Sequence, residues 1–350
     1  MLRKGTFILM KTKIQDMTSG SPGRLIILFA IPLMLGNICQ QLYTMVDTMV
    51  VGQIAGVEAL AALGAVDFLM WVVTGISTGL TQGFSIQLSQ YYGAKDFENL
   101  RKSLAHSYRL TAFIAAGVLI LSQSFASLVL TGLHTPSNII GMSLLYLRII
   151  FCGIPATAAY NMFASALRAM GNSKTPLTAM IIASVLNVSL DILFVAGFGW
   201  GVAGAAIATV IAQSFSAVYC FLILRRIDIV HLTRADFMPA SGMNARLMKL
   251  GIPVVFQNII IGVGGLVVQY VINGYGFLFV AGFTATNKLY GLLEMAAISY
   301  GYAIVTYVGQ NLGAGKIDRI RKGVRSSMLL SLLTSLIISA AMFLFGKNIL

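Results

Sequence analysis

The chain has 350 residues, 57% of them hydrophobic and only 10% charged, with a mean hydropathy of +0.85. A soluble domain carries about 25% charged residues and a disordered chain far fewer apolar ones, so composition excludes both and points to an all-α polytopic membrane protein. The 24 lysines and arginines against 11 acids, a net +13, suggest a nucleic-acid partner only until the placement of the charges is read.

In chain order, residues 1–23 form a basic tail with Arg3, Lys4, Lys11 and Lys13. The short apolar run Thr6–Met10 has no small-residue cleavage site after it, so the tail does not read as a signal peptide. Met17 is an alternative start, residues 1–16 then being an extension. A membrane-crossing helix needs about 20 mostly apolar residues. Nine segments meet that test, near 25–53, 58–90, 104–132, 138–167, 175–198, 201–225, 247–272, 277–308 and 326–346. Pro32, Pro155 and Pro253 lie inside three of them, each removing a backbone donor and able to bend its helix. Gly75, Gly79 and Gly83 make two GxxxG steps on the second span, a pattern for close helix packing. Glu58 and Asp67, near the outer end of that span, read as solvated.

Basic residues alternate with the connections. Lys95, Arg101 and Lys102, then Arg168 and Lys174, then Arg225, Arg226, Arg234, Arg246 and Lys249, then Lys316, Arg319, Arg321, Lys322 and Arg325 fall on every second one. The connections between, near 54–57, 133–137, 199–200 and 273–276, have none. This is the positive-inside pattern. It predicts a cytoplasmic N-terminus in the cytoplasmic membrane and makes the charge topological, with membrane lipid headgroups as partners and no nucleic acid.

The chain repeats itself. Arg24-Leu25, Ile31-Pro32 and Asn37 recur as Arg246-Leu247, Ile252-Pro253 and Asn258. Gln90, Gly93-Ala94 and Arg101-Lys102 recur as Gln310, Gly313-Ala314 and Arg321-Lys322. The offset stays at 220–222. Six helices separate equivalent points, so the two repeats share one orientation and form parallel bundles about an axis along the membrane normal. The expected division is a tail at 1–23, a six-helix bundle at 24–226, a linker at 227–246 and an incomplete three-helix bundle at 247–350. By the same arithmetic a full second repeat would run to about 450.

Ionisable residues at membrane depth are functional candidates by default. Asn37, Gln40, Thr44, Asp47 and Thr48 recur at steps of three or four and share one helix face, with Tyr43 beside it. Ser184, Asn187 and Asp191 do the same on the fifth span. Two carboxylates and an amide on separate helices could build a proton or cation site, titrating as a coupled pair if close. A structural hydrogen-bond network between helices would use the same residues. Lys288, Glu294 and Arg148 are further intramembrane charges that need a partner or a wet cavity. No HExxH, P-loop or Gly-x-Ser-x-Gly pattern occurs, so no enzyme chemistry is expected, and no cofactor beyond a coupling ion. Cys39, Cys152 and Cys220 read as small apolar residues.

With these features in view the chain resembles the multidrug and toxic compound extrusion (MATE) family, nearer its DinF-like than its NorM-like branch. The carriers are Gln41 through Thr48, Gly93-Ala94-Lys95, Ala166 through Asn172, Asn187 through Asp191, and Gly201 through Thr209. The resemblance covers residues 20–350 and about three-quarters of a family member, so the chain looks like a C-terminally truncated form. It implies two helical bundles facing a central cavity and H+- or Na+-coupled antiport of organic cations by alternating access, by a monomer. Carried over residue by residue, it puts a cation site on Tyr43, Asp47, Tyr146, Asn161, Asn187, Asp191 and Thr209, with Na+ able to sit at Asp47, Asn187 and Asp191. It makes Pro32 a hinge and matches Lys288 to a basic position of relatives. The acid that the NorM-like branch carries in its seventh helix has no counterpart here. Flat organic cations would suit Tyr43, Tyr146 and Tyr160. The rival readings are a lipid-linked saccharide flippase of the same superfamily, which would want a basic cavity, and a membrane fragment without transport activity.

Overall fold

The computed structural model describes residues 14–133, 135–273 and 277–349; within these, the side chains of 68, 266, 269, 270, 272–290, 292, 293, 341, 342 and 345–349 are outside the description. Among the described residues ten α-helices follow one another: α1 (Pro22–Val50), α2 (Val57–Gly93), α3 (Phe97–Gly132), α4 (Ile140–Cys152), α5 (Ile154–Ala169), α6 (Lys174–Asp191), α7 (Gly201–Leu224), α8 (Met243–Asn273), α9 (Phe277–Gly313) and α10 (Ile317–Ile349). The fold is all-α, and among the described residues six helical segments are long and apolar enough to cross a membrane unbroken.

Two predicted spans are bent. The fourth, expected as one helix over 138–167, breaks at Gly153 into α4 and α5 with a 46° bend. Pro155 follows the break directly and sits in the first turn of α5, where a missing N–H costs nothing. The second bends by 42° between Val57–Asp67 and Leu69–Gly93. By contrast, α1 runs unbroken through Pro32, and α8 continues through Pro253. The two helices that carry the candidate acids, α1 and α6, both end in a π-helical turn, Val51–Ala55 and Ile192–Gly197. Such widened turns gather at functional sites.

Helix starts follow local chemistry. Asp96 caps α3, accepting the Asn99 amide at 3.1 Å, and Lys95 before it takes the left-handed φ of 58° that turns the chain between α2 and α3. Between α7 and α8 the linker is folded, with Thr233 and Asp236 capping its short 3-10 turn reciprocally.

The repeat predicted from the sequence has a physical counterpart. α2 packs along α8 and α9, and α1 along α9 and α10, so the α1–α9 contact recurs as α8–α2. At the face that carries the α2–α3, α9–α10 and α7–α8 connections, called here the linker face, the two Gln-x-x-Gly steps meet reciprocally. A methyl on Gly93 would overlap the Gln310 carbonyl, and one on Gly313 would overlap the Gln90 carbonyl. Backbones come this close only where no Cβ intervenes. The GxxxG expectation holds further along α2: Gly79 and Gly83 lie against the α8 backbone at Val255 and Gly251.

Residues 14–20 lock this arrangement. Met17 is fully buried; its N–H donates to Gln310 Oε1 at 3.0 Å, and its carbonyl accepts from Asn311 Nδ2 at 2.9 Å. The Gln15 N–H donates to the Gly171 carbonyl at 3.1 Å, and Gln310 Nε2 donates to the Ala169 carbonyl at 2.8 Å. Lys316 and Arg319 donate to the Thr18 and Gly20 carbonyls. The segment therefore ties the α5–α6 turn of the first repeat to α9 and α10 of the second.

Candidate functional site

Asp47 is presented by α1 and is only 6% exposed. It opens onto a cavity of about 160 Å³ walled by Tyr43, Thr44 and Thr48 of α1, Leu63 and Asp67 of α2, Tyr146 of α4 and Thr209 of α7. The Thr44 and Thr48 hydroxyls donate to carbonyls one turn back, Gln40 and Thr44, which leaves oxygen lone pairs on this face of the helix. The polar stripe of α1 divides here. Asn37 turns to the second repeat and donates to Ser299 Oγ at 3.2 Å, while Asp47 and its neighbours keep the cavity.

Asn187 and Asp191 on α6 are both fully buried. Asn187 Nδ2 donates to Thr209 Oγ1 at 3.4 Å, which joins the α6 pair to the cavity wall. Asp191 itself does not line the cavity. Asp47 Oδ1, Asn187 Oδ1, both Asp191 oxygens and Gln213 Oε1 have no hydrogen-bond partner. They are five of the ten such buried side-chain atoms among the described residues. A buried polar atom without a partner is costly and calls for an explanation, often a bound water or ion. Carboxylate, amide and hydroxyl oxygens form the hard donor set that suits a proton or a Na+.

Two residues of this site escaped the sequence reading. Asp67 is exposed, as the sequence predicts, and it also shares the cavity with Asp47, which the sequence does not show. Gln213 donates through Nε2 to the Tyr43 hydroxyl at 3.5 Å. Its signal was available in its place one helical turn after Thr209.

Three other candidates lie away from this cavity. Asn161 does not line the cavity: it is half-buried between α5 and α2, where its Nδ2 donates to Thr78 Oγ1 at 3.3 Å. Arg148 is exposed, lines no part of the cavity, and has no carboxylate within ion-pair distance among the described residues. Glu294 is likewise exposed and outside the cavity. The Lys288 side chain lies outside the described residues. No group of three His, Cys, Asp or Glu forms a metal cluster among the described residues.

The fold is thus one of helical repeats, with segments long and apolar enough to cross a membrane and an acidic cavity inside the first repeat. The MatE family profile matches residues 32–193 and 253–350, one stretch in each repeat, and the chain belongs to that family. It is 32% identical over 308 residues to the probable multidrug resistance protein YpnP of Bacillus subtilis, covering 88% of this chain and 69% of that protein. To the probable multidrug resistance protein YoeA of the same organism it is 28% identical over 344 residues, covering 96% and 74%. In three dimensions it superposes on a MOP superfamily transporter from Pyrococcus furiosus with a TM-score of 0.91 at 23% identity, covering 96% of this chain and 75% of that one. A crystal structure of MATE in complex with MaL6 gives 0.90 at 23%, covering 97% and 76%. Membership places the chain among multi-pass membrane transporters and sets enzyme chemistry aside.

Proposed function

We propose that the chain, in the manner of the DinF-like branch, is an antiporter in which H+ or Na+ entering the Asp47–Asp191 region drives export of organic cations by alternating access. The observation that carries this reading is the cluster of orphaned oxygens on α1, α6 and α7 beside one acidic cavity. A bare carboxylate held away from water costs several kcal/mol (order of magnitude). A proton, a Na+ or an organic cation offsets that cost, and if one excludes another, entry of the small ion expels the larger. The multidrug names of the Bacillus relatives point the same way. The flippase alternative would need a basic cavity; the described lining has two aspartates and no Lys or Arg. In this reading the linker face is cytoplasmic, residues 24–226 form the six-helix bundle, residues 247–350 contribute three helices of its partner, and Pro32 is where α1 bends during the cycle.

The test is export of a fluorescent organic cation from cells making this chain, beside a version extended by three further helices, with an H+ or Na+ gradient imposed or collapsed. Export that stops when one gradient is collapsed supports antiport and names the ion. Absence of export from both versions, each present in the membrane, overturns it.

Asp67 has a graded role in this scheme. It is exposed, so its attraction for a cation is screened, and such charges contribute about 0.2–1 kcal/mol. Asp67→Asn is therefore expected to weaken apparent affinity for the exported cation by roughly 1.4- to fivefold while export stays gradient-driven. Concentration dependence of efflux measures it, and an unchanged half-saturation would remove Asp67 from the site.

A further inference from the structure

On the outside of the first repeat, away from the acidic cavity, α3, α5 and α7 leave an apolar crevice of about 410 Å³. Along α3 it runs from Tyr108 to Leu119, about 16 Å at 1.5 Å per residue, or half of a hydrocarbon core of about 30 Å. It therefore matches one leaflet. The surroundings suit lipid, with Phe113 80% exposed. The Thr111 hydroxyl, buried on the crevice wall, has no hydrogen-bond partner among the described residues.

At the end nearer the linker face, Tyr108 and Phe221 also wall a second pocket of about 310 Å³, closed by Arg225, His231 and Phe237. The two cavities thus share walls, apolar at one end and cationic at the other. Arg109, exposed on α3, donates to the Phe237 carbonyl at 2.8 Å and holds the linker over this end. His231 stands 3.9 Å from the Asp228 carboxylate. Among the described residues neither Arg225 nor Arg109 has a carboxylate within ion-pair distance. The uncompensated charge at the mouth is positive.

We propose that α3, α5, α7 and the α7–α8 linker form a binding site for one anionic phospholipid of the adjacent leaflet, its phosphate at Arg225 and Arg109 and one acyl chain in the crevice. The charge selects an anionic over a zwitterionic lipid, and the length and apolar wall select an acyl chain over a free phosphate. A bound lipid bridges three helices and the linker of a single repeat, so it braces that repeat and leaves the acidic cavity untouched.

The test is native mass spectrometry of the full chain released from vesicles of phosphatidylglycerol and phosphatidylcholine in equal parts. One retained phosphatidylglycerol per chain is expected. Arg225→Gln should lower its retention about fivefold, the effect of one arginine near an anionic surface, and Arg225→Lys should restore most of it. Ala116→Leu, at an exposed position on the crevice wall, should displace the lipid by filling its chain site. Because Arg225 is exposed, neither Arg225 variant disturbs the core. Equal retention of the two lipids, or phosphatidylglycerol retention unchanged by Arg225→Gln or by Ala116→Leu, overturns the proposal.

Discussion

Asp47→Asn is expected to reduce gradient-driven export by at least about 30-fold, to the level of cells without the protein. Asparagine keeps the shape of the side chain and removes its charge. Losing one partner of a buried charge interaction costs about 2–5 kcal/mol, and each 1.4 kcal/mol is tenfold in affinity. The cavity would retain Asp67, but an exposed acid is no substitute for one that is 6% exposed. Amount in the membrane should be unchanged. Thermal stability in detergent should hold or rise, because the substitution removes a buried carboxylate with an unpartnered oxygen; stability lost at functional sites is commonly regained when the function is removed. Full export from Asp47→Asn at normal amounts would falsify the assignment of coupling to this residue. A fall in stability matching the fall in export would instead make Asp47 part of the structural network between helices.

The second large effect lies far from the acids. Gly313→Val and Gly93→Val should each force the linker face apart. The obstacle to a side chain at either position is the carbonyl of the opposite helix, Gln90 or Gln310, and backbone yields less readily than a flexible side chain. Overpacking of this kind costs about 1–3 kcal/mol per site, and here it acts on the contact that relates the two repeats. Spin labels replacing Lys95 and Lys316 should report a longer distance in either variant, and export should fail because the linker face no longer seals. The two variants should behave alike, since each glycine meets the other repeat's glutamine. Unchanged label distances and normal export would show that this contact does not hold the face closed.

Much of the fold was legible in the sequence. The span pattern depends on hydropathy over about 20 residues, which a window along the chain reads directly. The repeat was visible because the two copies retain the same punctuation, Ile-Pro near the start and Gln-x-x-Gly near the end of the second helix. The bend at Gly153 was only half legible: Pro155 marks a break at the start of α5, whereas Pro32 and Pro253 sit inside helices that run on. A proline in a first turn removes no hydrogen bond and one inside a helix removes one, but neighbouring helices decide whether the axis turns.

The acids at membrane depth were equally plain, for the same local reason: a carboxylate inside an apolar run stands out. Which residues gather around them did not follow from periodicity. A step of one residue turns a side chain by about 100°, so small differences in how a helix is rotated against its neighbours decide what faces what. Packing set α2 so that Asp67 looks into the Asp47 cavity, and α7 so that Gln213 reaches Tyr43. It also placed Asn161 against Thr78 and Arg148 on the exposed surface. The sequence by itself determined that this chain crosses the membrane many times, in two like repeats, with carboxylates on its first and fifth predicted spans. Only the tertiary structure decided that Gly93 and Gly313 meet the opposite glutamines, that residues 14–20 tie the repeats together, and which oxygens are left without partners. Spans, repeats and acids are encoded along the chain, whereas a contact between distant helices exists only once their rotation and tilt have been settled by packing against each other.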